Sequence, residues 1–237
     1  MKVALCLSGQ IRNWKKCFDS LEKQILEKYN CDVFIHTWNT IGNPVPHHYD
    51  INFKHNLEPI DMDILKKYHP KKIKIDFPNY ELFKNKIPNS RFYNTLMMWY
   101  SVYNSNKLKC EYEYENNLIY DVNIRCRFDT FFENFEINEV KENTIYLPPN
   151  ENINNPFTDL MKKTLKEIGA SYMPNDQLSY GDLNSMNYYC KIHKILQNNI
   201  YEYIHHPEGL LTEHLWKKNI SNINVEINDK IRLQIQR

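Results

Sequence analysis

Arg125-Cys126-Arg127-Phe128-Asp129 places two guanidiniums and one carboxylate at alternate positions of a short run. In an extended chain such positions share a face, so the three charges meet at the end of a strand. Asp129 has the chemistry to ligate Mn2+ or Mg2+. Arg125 and Arg127 carry forked donors that neutralise phosphate or hold a carboxylate in a bidentate pair. A structural salt bridge is the alternative reading of the same three residues. Asn175-Asp176-Gln177 sets a carboxylate between two amides. That pattern suits a general base or a hold on an acceptor hydroxyl, and also an Asx-turn or helix cap. His205-His206-Pro207-Glu208 is followed by Glu213 and His214. His206 is a candidate late metal ligand and Glu208 a candidate base, while Pro207-Glu208 equally fits the first turn of a helix. In Ser8-Gly9-Gln10-Ile11-Arg12 the glycine permits close backbone approach, a following helix offers N–H groups to an anion, and Arg12 can touch a diphosphate. The alternative is a plain strand-to-helix turn with a solvated arginine. His36 and the pair His47-His48 read as satisfied polar residues, and Trp38 is a candidate to stack on a base or sugar.

The elements that position these residues follow from periodicity. Residues 3–7 and 32–38 are continuous apolar runs, as in central strands, and Trp14, Phe18, Leu21 and Ile25 recur between them at helical spacing with Asn13 as N-cap. This is a β-α-β unit, expected right-handed. Residues 61–69 read as a short helix, Lys72 to Ile75 as a third strand, and Phe92, Leu96, Trp99 and Tyr103 as the stripe of a longer helix. From Leu118 the pattern alternates, with Leu118, Tyr120, Val122, Ile124, Cys126 and Phe128 on one face and Asp121, Asn123, Arg125, Arg127 and Asp129 on the other. Thr144 to Leu147 is a further strand, 157–168 an amphipathic helix, 175–177 a loop, 183–197 and 208–218 helical stretches, and Asn224 to Ile227 a last strand. Alternating strands and helices predict an α/β domain with a mainly parallel, mixed central sheet flanked by helices. One domain is expected over 1–237, with a nucleotide-binding part about 1–130 and an acceptor part about 131–237.

Composition narrows the function. The 30 basic and 29 acidic residues leave a net charge of +1, without the basic footprint of a nucleic-acid binder. No stretch reaches the roughly 20 apolar residues of a membrane span, and the apolar N-terminal run is too short for a signal peptide. The six cysteines form no C-x-x-C pair and read as buried free thiols in a reducing compartment. With 5 glycines and no G-x-G-x-x-G after the first strand, a dinucleotide site or a P-loop is not expected. Four-ligand zinc spacing and a G-x-S-x-G nucleophile turn are likewise absent.

Taken in order, Val3 to Arg12, Asp32 to Trp38, Arg125 to Asp129 and Asn175 to Gln177 resemble the small GT-A glycosyltransferases of large DNA viruses and of bacterial surface-polysaccharide clusters. The resemblance implies a nucleotide-diphosphate-sugar donor, a glycan acceptor, and a divalent cation, Mn2+ or Mg2+, bridging the donor phosphates. The activity it implies is hexosyl or deoxyhexosyl transfer. It sets Ser8, Gly9, Gln10, Arg12, Arg125 and Arg127 against the donor, Asp129 and His206 at the metal, and Asp176 or Glu208 as the base, in the cytoplasm, that of the host for a viral protein. The first carboxylate of the D-x-D motif is Arg127 here, which takes over part of the cation's work in this reading. A non-catalytic nucleotide-sugar or glycan-binding module and a sugar-phosphate nucleotidyltransferase are the rival readings.

Overall fold

The computed structural model of the chain describes residues 1–41, 58–78, 91–149, 165–167, 174–196, 207–216 and 222–236. Strand β1 (Val3–Ser8) is buried along its whole length. Its side chains alternate between two cores: Val3, Leu5 and Leu7 pack with Ile11, Leu21 and Ile25, while Ala4 and Cys6 pack with Phe34 and Tyr120. A strand apolar on both faces needs a layer on each side. The first layer is α1 (Trp14–Leu21), which runs through a π-helical stretch, Glu22–Leu26, into a last turn, α2 (Glu27–Tyr29). Asn13 does sit at the N-cap, but left-handed (φ 52°) and without a side-chain cap bond. Its amide donates instead to the Gln236 carbonyl at 3.1 Å, tying the helix start to the far end of the chain.

After β2 (Asp32–Trp38), α3 (Met62–Lys66) and β3 (Lys72–Asp76) comes the second layer, α4 (Arg91–Glu115), packed across β1, β2 and β3. Then follow β4 (Val122–Cys126), β5 (Thr130–Asn134), β6 (Thr144–Leu147) and β7 (Leu178–Gly181). The C-terminal part holds α5 (Leu183–Cys190), α6 (Ile192–Leu196), α7 (Pro207–Trp216), β8 (Asn224–Ile227) and β9 (Arg232–Ile235). Among the described residues, seven strands form one sheet in the order β3-β2-β1-β4-β7-β6-β8. Only β7 runs against its neighbours, β4 and β6; the other six are co-directional. β5 and β9 pair antiparallel in a second, two-stranded sheet. The fold is therefore α/β, with a mostly parallel mixed sheet flanked by helices.

Three local expectations change. The strand expected from Leu118 begins at Val122, because Leu118 N–H and Tyr120 N–H still bond to Glu113 of α4, at 3.0 and 3.1 Å, in the helix exit. β4 is buried on both faces and ends at Cys126, so Asn123 and Arg125 are core residues, while Arg127 and Asp129 lie in the turn beyond the strand and not on its face. The 183–197 stretch is two helices, the first opened by Asp182, whose carboxylate accepts from the Asn184 and Ser185 N–H groups. Of the helix expected over 157–168, only residues 165–167 are described, and they are helical. Among the described residues no helix is long and apolar enough to cross a membrane.

β7 fits against β6 only because residue 181 is glycine. A Cβ there would stand 2.5 Å from the Thr144 carbonyl oxygen, which is backbone and cannot swing away. Gly181→Ala is expected to cost about 1–3 kcal/mol, an overpacking penalty, read as a lower urea midpoint at unchanged m-value.

Candidate functional site

The parallel strands deliver their C-terminal ends to one edge. Ser8 pairs beside His36, Trp38 beside Asp76, and Leu7 beside Cys126. In open α/β sheets the crevice outside that edge is where ligands bind. β7 runs the other way and starts there, Leu178 opposite Cys126, so Asp176, two residues earlier, arrives at the same edge. α7 brings Glu208, close enough for its charge to act on Asp176 and Arg127.

The turn after β4 holds the densest contacts. Arg127 meets Asp129 as a fork, Nε donating to Oδ1 and Nη2 to Oδ2, each at 2.8 Å. Arg12 reaches across from the β1 turn and donates its own Nε to Asp129 Oδ2 at 2.8 Å. The Asp129 side chain is 2% exposed, Arg127 19% and Arg12 35%. Burial alone would push the Asp129 carboxyl up, but the Arg127 and Arg12 guanidiniums outweigh it and hold the acid below its usual range. Burial also works against the Arg127 charge, and Asp129 more than restores it. The Asp129 carbonyl accepts from Gln236 N–H at 3.0 Å, so β9 fixes the turn from behind.

Arg125 turns away from this pair. Fully buried, it donates Nη1 to the Asp176 carbonyl and Nε to Ser8 Oγ at 3.4 Å, while Nη2 has no partner among the described residues. It locks the Asp176 segment to β1 and adds a fixed positive charge. Asn175 Oδ1 accepts from Gln177 N–H at 2.9 Å, so the Asx-turn is present and it presents Asp176. Asp176 is buried, and burial first, then the Glu208 charge, raise its carboxyl from an ordinary 3.8 to about 6, with Arg127 and Arg125 pulling the other way. A carboxyl near 6 can hold or release a proton at physiological pH.

Ser8, Gly9 and Arg12 do face this edge, but the turn is organised from below. Gly9 is left-handed (φ 106°), with none of the described residues within 4 Å of where a Cβ would project, so among them its outer face is open. Its N–H is already taken, by Ser101 Oγ at 2.7 Å and the His36 carbonyl at 3.2 Å, and is not a free anion donor. Gln10 is half-buried. Behind the turn runs a chain the sequence did not disclose: Ser101 hydroxyl lies 2.9 Å from His36 Nδ1, and His36 Nε2 donates to Asp76 Oδ2 at 3.1 Å. With Nε2–H fixed by that carboxylate, Nδ1 is an acceptor, and the one Ser101 hydroxyl proton is shared between it and the His36 carbonyl at 3.1 Å. Burial lowers the His36 pKa against the raising pull of Asp76, so the ring stays neutral at physiological pH. Tyr100 hydroxyl and Lys74 Nζ also meet Asp76 Oδ2, at 2.7 and 2.8 Å. The hint in the sequence is a polar residue near the C-terminal end of each of two neighbouring parallel strands, His36 of β2 and Asp76 of β3. Trp38 is buried, with Tyr100 stacked on it at 5.7 Å, so that ring face is occupied.

The late motif divides. Glu208 is in the first turn of α7 and belongs to the site; His205 and His206 lie outside the described residues. His214 is buried under Tyr188 at 4.2 Å, donates Nε2 to the Tyr188 carbonyl, and is driven down to about 4 by burial, as a packed neutral ring. Of the two residues named for the metal, Asp129 and His206, only Asp129 is described. Both Asp129 oxygens accept from guanidiniums, and the described residues hold no group of three His, Cys, Asp or Glu able to bind a metal.

The raised Asp176 carboxyl has a consequence for stability. Folding favours its protonated form, so its contribution is complete below about pH 4 and is lost as pH rises through about 6. Asp176→Asn is expected to match the wild type near pH 4 and to exceed it by about 2 kcal/mol at pH 7.5, measured by denaturant titration across that range. Set against known proteins, the chain matches no family model and no curated protein, so its function is argued from the chemistry of this site.

Proposed function

We propose that this chain is a glycosyltransferase of the GT-A type, moving a sugar from a nucleotide-diphosphate-sugar to a hydroxyl of a glycan acceptor. The observation that carries the reading is the charged constellation at one edge of a mostly parallel sheet: Arg12, Arg125 and Arg127 facing Asp129, Asp176 and Glu208 beside the open face of Gly9. A nucleoside diphosphate that gains a negative charge as it departs needs cationic donors, and an acceptor hydroxyl needs a base; this edge supplies both within one crevice. Six free cysteines accord with a reducing, cytoplasmic setting.

The chemistry assigned to these residues is an inverting displacement. Glu208, half-buried at the start of α7, takes the proton from the acceptor hydroxyl, and its charge acts on the buried Asp176 beside it, whose carboxyl is raised to about 6. The acceptor oxygen forms its bond to the anomeric carbon as the bond from that carbon to the diphosphate oxygen breaks. The departing electron pair stays on the diphosphate, where the guanidiniums of Arg12 and Arg127 take up its charge.

The test is product formation with a panel of nucleotide-sugars, comparing wild type with Glu208→Gln. Loss of the base is expected to lower kcat by about 100- to 10,000-fold while donor affinity stays within a few-fold. Transfer at the wild-type rate by the variant removes Glu208 from the mechanism, and failure of the wild type to bind any nucleotide or nucleotide-sugar removes the reading.

A further inference from the structure

Resting on that reading, we propose that the site works without a divalent cation: Arg12 and Arg127 are the diphosphate-binding cations, and Asp129 positions them instead of ligating a metal. A hard dication is held by carboxylate oxygens with free lone pairs, arranged several to a site. Asp129 offers none of its better ones, since Oδ1 is taken by Arg127 and Oδ2 by Arg127 and Arg12 together. Its carbonyl is held by Gln236 N–H. Displacing two guanidiniums from a carboxylate that is 2% exposed would strand like charges around the entering ion. The neighbouring carboxyl, Asp176, is 4% exposed and sits beside the Arg125 and Arg127 charges, which leaves little room for an entering ion and its waters.

The guanidiniums, by contrast, are only partly used. Each has five N–H donors. Arg12 spends Nε on Asp129, and Arg127 spends Nε and Nη2, so among the described residues the Nη groups of Arg12 and Nη1 of Arg127 remain for a ligand. Both side chains are partly exposed at the sheet edge, and the shared carboxylate fixes their spacing by binding one side of each fork. Two planar forks set side by side match the oxygens of a diphosphate, and arginine is the residue best suited to bind it bidentately. Arg127 thus stands where a metal-binding carboxylate is expected by the resemblance and supplies the cation from the chain itself.

The experiment is calorimetric titration of the full chain with UDP, GDP, CDP and dTDP, and with the matching nucleosides, in EDTA and in excess Mn2+. Expected is one nucleoside diphosphate binding with the same affinity in both buffers. Arg127→Gln and, separately, the more exposed Arg12→Gln are expected to weaken it about tenfold or more while leaving the matching nucleoside's affinity unchanged. Two variants guard against misfolding of one, and unchanged circular dichroism identifies those that are folded. Binding that requires Mn2+, or that Mn2+ strengthens about tenfold, overturns the metal-free site while the nucleotide reading stands. Folded variants of both arginines with wild-type diphosphate affinity overturn it too. No diphosphate binding in either buffer overturns the nucleotide reading and this inference with it.

Discussion

The buried carboxylate of Asp129 and the two guanidiniums that close on it constrain everything around them. A carboxylate almost without solvent contact persists as a charge only when opposite charges and donors replace its water, and Arg127 and Arg12 together do so. Removing either partner of such a pair typically costs about 3–5 kcal/mol, because the remaining charge is left desolvated. The ion pair therefore couples the turn after β1 to the turn after β4, and through the Asp129 carbonyl to the end of β9. The same arrangement stores two half-used arginine forks at the surface of the crevice, which is where structure passes into chemistry.

Sheet direction explains why these groups meet. Co-directional strands send the turns after β1, β2, β3 and β4 to one edge, and the single reversed strand, β7, returns the chain to it and delivers Asp176. Below the edge, Asp76, His36 and Ser101 form a hydrogen-bonded column that ends on Gly9 N–H and holds the first turn open from behind. Burying neutral His36 with both ring nitrogens paired fixes that column in one tautomer. Raising Asp176 has the opposite character: it destabilises the fold at neutral pH and leaves a carboxyl ready to exchange a proton, a local cost of the kind that gathers at working sites.

How much of this the sequence disclosed depends on range. The continuous apolar runs of β1 and β2 and the stripe of α4 were readable because local burial dictates them. β7 was not: Leu178-Ser179-Tyr180-Gly181 has four residues, two of them poor strand formers, and is a strand only because β4 and β6 pair with it. β5 and β9 pair across about a hundred residues of chain and left no local mark. In the site, the fork between Arg127 and Asp129 follows from their two-residue spacing, whereas the reach of Arg12 over 117 residues and the His36 column are products of the fold. Arg125, grouped with Arg127 by alternation, is instead a core residue holding the Asp176 segment, since a strand buried on both faces has no solvated side.

The most direct test of the account is to watch the arginine forks themselves. Side-chain 15Nε–1Hε resonances of Arg12 and Arg127, assigned with the Arg→Gln variants, would be followed by NMR while a nucleoside diphosphate is titrated in EDTA. The account predicts that these two resonances move together and saturate with the binding isotherm, while the fully buried Arg125 shifts far less. Saturable binding that leaves both resonances in place, or that moves them only after Mn2+ is added, would contradict it.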